Sequence, residues 1–123
     1  MNLTSKYPAI SDLRDRARRR IPHFAWEYLD SATGDESTLH LNRQGLDAIR
    51  FVPRGLRGEI NPKLETSFLG QIYSTPFGIA PVGMSGLIWP GAERMLSSFA
   101  ASAKIPYAMS TVATATPEDV TPY

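Results

Sequence analysis

Phe77-Gly78-Ile79-Ala80 is a short apolar run, and Pro81-Val82-Gly83-Met84 carries it into a loop rich in proline and glycine. An unbroken apolar run of this length suits a strand buried on both faces of a parallel sheet. That loop continues to Gly91. Residues 92–104 then carry Met95, Leu96, Phe99, Ala100 and Ala103, an amphipathic stripe at helical spacing. Ile105-Pro106 breaks that helix, and Tyr107-Ala108-Met109-Ser110-Thr111-Val112 reads as a second strand. Thr116-Pro117-Glu118-Asp119 has the cap, the first-turn proline and the acidic pair of a further helix start. Strand, loop, helix, strand and helix start make a βαβ unit with another helix beginning, which predicts an α/β protein.

Ligands of such proteins bind at the carboxyl ends of the parallel strands. Ala80, Pro81 and Val82 stand at the end of the first strand and Ser110 at the end of the second. The two ends of one βαβ unit point the same way, so these residues are expected to face one shared cavity. Small residues at such a place let a flat ring approach the backbone.

Upstream the texture changes. Thr66-Ser67-Phe68-Leu69, Gly70 and Gln71-Ile72-Tyr73 read as two short strands around a turn. From Arg50 to Thr75 the chain is extended and punctuated by Pro53, Gly55, Gly58 and Pro62. Residues 11–49 read as helical. Ser11 is a candidate cap for a helix with Leu13, Ala17 and Ile21 on one face. Pro22 ends that helix or starts a second one, in which Phe24, Trp26 and Tyr28 form an aromatic cluster. Asp35-Glu36 looks like a third N-terminus, with Leu39, Leu46 and Ile49 available for burial.

Composition narrows the classes further. The 123 residues include no cysteine, which excludes a disulfide framework, a thiolate metal site, an iron–sulfur cluster and a cysteine nucleophile. A formal net charge of +1 gives no global push towards nucleic acid or an anionic membrane. The first residues lack a basic region followed by an apolar one, so they do not read as a signal peptide. The charge-free stretch from Thr66 to Ala92 is cut by Pro76, Pro81 and Pro90, which is unlike a spanning helix. A cytoplasmic location is the expectation.

Chemistry-bearing motifs are few. His23 and His40 have no partner at metal-ligand spacing, so no metal is expected, and dinucleotide, phosphate-loop and nucleophile-elbow signatures are missing. Arg14, Arg16, Arg18, Arg19 and Arg20, with Lys6, outweigh Asp12 and Asp15. That run reads either as a patch for phosphates or a membrane surface, or as the solvated face opposite Leu13, Ala17 and Ile21. Tyr28 reads either as a core aromatic or as a site residue.

Several segments, in order and spacing, match something more specific. They are Trp26-Glu27-Tyr28-Leu29, Asp35-Glu36-Ser37-Thr38-Leu39 with Asn42-Arg43, and Phe51-Val52-Pro53-Arg54-Gly55-Leu56. Ser74 to Met84, Trp89-Pro90 before Glu93, and Ser110-Thr111-Val112 continue the series. From about Ser11 to Val120 the chain resembles the amino-terminal part of the FMN-dependent α-hydroxy acid dehydrogenase and oxidase family, which includes L-lactate and mandelate dehydrogenases and glycolate oxidase.

That resemblance implies a helical and extended cap over residues 1–75 and the first two β/α units of a (β/α)8 barrel over residues 76–123, an incomplete barrel whose strands are Phe77–Pro81 and Tyr107–Val112. It implies FMN as cofactor and a small L-2-hydroxy acid as substrate, oxidised to a 2-keto acid by hydride transfer to the flavin. Tyr28 is then expected to hydrogen-bond the substrate carboxylate. The backbone of Ala80, Pro81 and Val82 would lie against the flavin, and the Ser110 hydroxyl would bond to it. The catalytic histidine and the arginines of the family have no counterpart here, and neither His23 nor His40 matches. The isolated chain is therefore expected to be an inactive fragment that binds FMN weakly or not at all, while the full-length protein is expected to be a homo-oligomer.

Three departures from the family pattern stand out: Ala32-Thr33-Gly34, Gly91-Ala92-Glu93, and Val112 where oxidases commonly carry tryptophan. Pro81-Val82-Gly83 and Ser110-Thr111-Val112 look more like the lactate dehydrogenase branch. Two other classes stay open. One is a non-catalytic association module. The other is a basic-patch binder of nucleic acid or of a membrane surface, with which peripheral inner-membrane association would agree.

Overall fold

A computed structural model describes residues 3–56 and 58–121. Met1-Asn2, Arg57 in the expected extended stretch, and Pro122-Tyr123 at the end of the expected barrel segment lie outside the described residues. The chain order is α1 (Leu3–Lys6), α2 (Ile10–Arg18), α3 (His23–Asp30), α4 (Ser37–Asp47), β1 (Thr66–Phe68), β2 (Gln71–Tyr73), α5 (Ser85–Ile88), α6 (Ala92–Ala103) and α7 (Pro117–Val120).

The amino-terminal helices start where local chemistry satisfies their first N–H groups. Ser11 is not the cap of α2, because the helix begins one residue earlier. Ala9 holds the cap position, and its N–H donates to Asp12 Oδ2 at 3.0 Å. That carboxylate holds the cap residue's own N–H, which is half of a capping box, and no side chain at the cap takes the hydroxyl's place. Pro22, with fixed φ and no N–H to lose, precedes α3. Asp35 Oδ1 accepts the Ser37 N–H at 3.1 Å where α4 begins.

β1 and β2 form the expected hairpin, with Thr66 opposite Tyr73 and Phe68 opposite Gln71. Its two-residue loop, Leu69 and Gly70, has φ of 51° and 76°. Two left-handed residues are what a tight turn between right-twisted strands requires.

The expected barrel strands are shorter than the sequence pattern suggested. In place of strands at 77–81 and 107–112 there is one parallel bridge, Ile79 to Tyr107. Ile79 N–H donates to Pro106 O at 2.8 Å and Ala108 N–H to Ile79 O at 3.0 Å. In this register the next donors on either side would be the nitrogens of Pro106 and Pro81, which carry no hydrogen. The two prolines stop the ladder. Its direction is nevertheless parallel, so both segments lead to the same end.

Packing runs from α2 to α3, α3 to α5, α5 to α6 and α6 to α7. Buried residues among those described are Ala25, Trp26 and Ala100, with Ser85, Glu93 and Ser97 beside them. The buried stripe of α6 is therefore Glu93, Ser97 and Ala100, whereas Met95 and Phe99 of the expected stripe are exposed. Leu39, Leu46 and Ile49 are exposed too, because α4 packs against no other helix or strand among the described residues. The accessible surface is 10373 Å². A compact chain of 13.6 kDa would expose about 6,600 Å², so much apolar surface stays uncovered.

Candidate functional site

Tyr28 sits at the end of α3, whose buried face is Ala25 and Trp26. Of the three aromatics of this helix, Trp26 turns into the core, while Phe24 and Tyr28 are exposed. Arg14 holds α2 on α3, giving Asp30 two hydrogen bonds of 2.7 Å and lying 5.9 Å from the Trp26 ring centre. The same guanidinium holds the Asp30 carboxyl below the usual carboxylate range.

From this position Tyr28 reaches the strand-end turns. A Cβ on Gly83 would collide with the Tyr28 hydroxyl and would lie 3.0 Å from Val112 Cγ2. Glycine is needed here for space rather than for an unusual φ. Met84 N–H donates to Val112 O at 3.0 Å, and Val112 N–H donates to Ser110 Oγ at 3.2 Å. Tyr28, the turn at 82–84 and the turn at 110–112 are thereby adjacent.

Ala80, Pro81 and Val82 are exposed and Ser110 is half-buried. Ser110 lines an open cleft of about 300 Å³ with Met109, Thr111, Ala113, Ala115 and Pro117. Ala80, Pro81 and Val82 are not among the walls of that cleft. The two strand ends share a direction and a hydrogen bond between their turns, but not that cleft.

Sequence reasoning passed over the most heavily engaged side chain. Glu93, at 2% exposure, accepts on Oε1 from Gly86 N–H at 3.0 Å, Thr114 N–H at 3.0 Å and Thr114 Oγ1 at 2.9 Å. Burial by itself pushes this carboxyl up. Hydrogen bonds from Thr114, from its own N–H and from Gly86 outweigh burial and hold its pKa at about 2. Burial and the nearby Glu93 charge raise the Tyr107 hydroxyl in turn. The available signal was an acidic residue sharing a helix face with the small residues Ser97 and Ala100, a pattern of close packing.

The arginine run is largely used by the fold. Arg14 pairs with Asp30, Arg16 donates to the Tyr7 hydroxyl, and Arg19 Nε donates to Asp15 O at 3.2 Å. Arg20 lies 5.0 Å from the Trp89 ring centre. One depression beside the run has Asp12 and Asp15 in its walls among the basic groups, and another joins Arg16 and Arg20 to the apolar Leu13, Ile21 and Trp89. His23 pairs with Glu27 on the same helix, 3.3 Å away. Among the described residues no group of three or more potential metal ligands converges, and no helix is long and apolar enough to cross a membrane.

Residues 17–123 match the FMN-dependent dehydrogenase family, and the chain belongs to it. Among individual relatives, it is 34% identical over 112 residues to L-lactate dehydrogenase of Pseudomonas syringae pv. syringae, a match covering 91% of this chain and 30% of that protein. It is 34% identical over 122 residues to L-lactate oxidase of Lysinibacillus sphaericus, covering 97% of this chain and 32% of that protein. The solved structure of mandelate oxidase superposes with a TM-score of 0.84 at 28% identity, over 93% of this chain and 33% of that one. The chain thus spans 30–32% of the length of these curated relatives.

FMN is the family's cofactor, and the strand-end turns suit it. Ala80-Pro81-Val82 offers an exposed, small-residue backbone against which a flat ring can lie. The Ser110 oxygen accepts from Val112 N–H, which leaves its own hydrogen free to donate to a flavin acceptor.

Proposed function

We propose that this chain forms the amino-terminal part of an FMN-dependent 2-hydroxy acid dehydrogenase of the L-lactate type. The observation that carries this reading is the meeting of the Tyr28 hydroxyl with Gly83 and Val112, beside the turn that holds Ala80–Val82 and the one that holds Ser110. Bound there, FMN supplies the acceptor for the hydride that leaves the α-carbon. Ala80, Pro81 and Val82 give the ring a flat wall, Ser110 donates to its edge, and Tyr28 donates to the substrate carboxylate. Proton removal and most of the carboxylate clamp fall to residues outside this chain, so the isolated chain does not turn over. Pro81-Val82-Gly83 and Ser110-Thr111-Val112 favour a dehydrogenase over an oxidase.

Replacing Tyr28 by phenylalanine in the assembled enzyme removes one hydroxyl and keeps the ring. Losing a hydrogen bond to a charged group costs roughly 1.5–3 kcal/mol, expected here as a KM for the hydroxy acid raised roughly 10- to 100-fold. An unchanged KM and kcat would remove Tyr28 from the site.

A further inference from the structure

Glu93 is the only buried charged side chain among the described residues, and nothing in the proposed chemistry uses it. Its three donors come from two separate segments, each just after one of the strand-end turns. Gly86 lies in α5, two residues after Met84, and Thr114 lies two residues after Val112. A single oxygen, anchored in the first turn of α6, therefore grips both segments.

The grip matters because the first turn carries a strained residue, which its own Leu87 N–H bond to Met84 O closes over but does not relieve. Met84 adopts φ 47° and ψ 37°, a left-handed conformation that costs a side-chain-bearing residue roughly 1 kcal/mol or more. Met84 N–H reaches Val112 O, and the Glu93 bond to Gly86 fixes the residues that follow. No Cβ fits at Gly86, since it would meet Thr114 Oγ1 and come within 2.9 Å of Glu93 Oε2. The tie leaves no slack.

We infer that Glu93 is a positioning residue, which sets the separation of the 82–84 and 110–112 turns and so prepares the wall that receives the flavin. This rests on the proposed function for its last clause only. The charged groups near Glu93 leave its tie undisturbed: Tyr107 is neutral over the working pH range, and Arg94 is turned away onto Asp119 at 2.7 Å.

Two variants separate positioning from bulk packing. Glu93→Ala removes the acceptor, whereas Glu93→Gln keeps an oxygen where Oε1 stands. Ser97→Ala, on the same buried stripe but bonded only to Arg94 O, is the control. Amide hydrogen exchange of the full chain is expected to speed up about tenfold or more in Glu93→Ala at Gly86 and Thr114, whose N–H groups lose their acceptor, and to rise at Met84, whose bond to Val112 O spans the tied segments. Exchange at Ala100 should hold within about twofold, Ser97→Ala should resemble the parent, and Glu93→Gln, which keeps an acceptor but loses the charge, should fall between the parent and Glu93→Ala. In the assembled enzyme, the FMN dissociation constant, read by flavin fluorescence, should rise about tenfold in Glu93→Ala and recover in part in Glu93→Gln.

Equal acceleration throughout α6, or unchanged exchange at Met84 and Thr114, would overturn the inference. Should Glu93→Ala fail to fold, Thr114→Val decides. It removes one donor to Oε1 and should loosen Met84 and Gly86 by a smaller factor, with no loosening counting against the tie. If the parent enzyme binds no FMN, the proposed function fails, while the exchange pattern still decides whether Glu93 ties the turns.

Discussion

The turns on either side of α6 and the stretch from 49 to 65 are both irregular and both rich in glycine and proline, yet they end in opposite states. Around α6, three donors converge on one buried carboxylate and the backbone follows them. Between 49 and 65 the chain also has several large apolar side chains but, among the described residues, no such acceptor, and Phe51 and Leu56 stand in solvent at 96% and 109% exposure. Apolar content does not give an irregular segment its place. An anchored partner does, because the backbone groups of a loop need hydrogen bonds that hydrophobic burial cannot supply.

The sharpest way to break this contrast is to delete one side chain from each region. Glu93→Ala leaves two backbone N–H groups and a hydroxyl without their acceptor and should cost about 3 kcal/mol or more in urea unfolding of the chain. Phe51→Ala removes a ring that touches little and should stay within about 0.5 kcal/mol. Similar losses for the two would erase the distinction.

Acid probes the same tie. A carboxyl at about 2 in the folded chain, against an ordinary 4.5, is ionised over a wider range than in the unfolded chain. Its contribution of about 3 kcal/mol is complete above pH 4.5 and lost as pH falls towards 2. Asp30, Asp35, Glu118 and Asp119 are also held low and add losses of the same sign. The comparison that isolates Glu93 is thus the pH profile of Glu93→Gln, whose slope below pH 4.5 should be shallower than the parent's. Parallel profiles would mean that the charge contributes nothing.

Two glycines give the smallest contrast. Gly86→Ala forces a Cβ onto Thr114 and Glu93 and should cost roughly 1–3 kcal/mol. Gly55→Ala meets nothing within 4 Å and should be neutral, or stabilising by about 0.5 kcal/mol through the unfolded chain. Thermal melts of the two variants check this, and equal destabilisation would count against it.

What could be read from sequence was local. The hairpin at 66–73, the Thr116–Asp119 helix start and the span of α6 follow from turn residues, capping chemistry and periodicity. The inward face of α6 did not follow, because Met95 and Phe99 outshine a face made of Glu93, Ser97 and Ala100 unless a buried acid with three donors is foreseen. The shortness of the parallel ladder was written in Pro81 and Pro106 but became readable only once the register was known. Helices α1 and α5 have four residues each and too little pattern to detect. The nearness of Tyr28 to Gly83 joins residues 55 positions apart, and no local rule reports it; only family resemblance pointed to Tyr28.

In the proposed function the turns at 80–84 and 110–112, tied through Glu93, form the wall of a flavin site with Tyr28 at its edge. A crystal structure of the assembled enzyme with FMN and a hydroxy acid tests it most directly. The account predicts the flavin ring against the backbone of Ala80–Val82, the Ser110 hydroxyl about 3 Å from a flavin acceptor, and Tyr28 on the acid's carboxylate. A flavin seated elsewhere, with these turns bare and Tyr28 turned away from the acid, would contradict it.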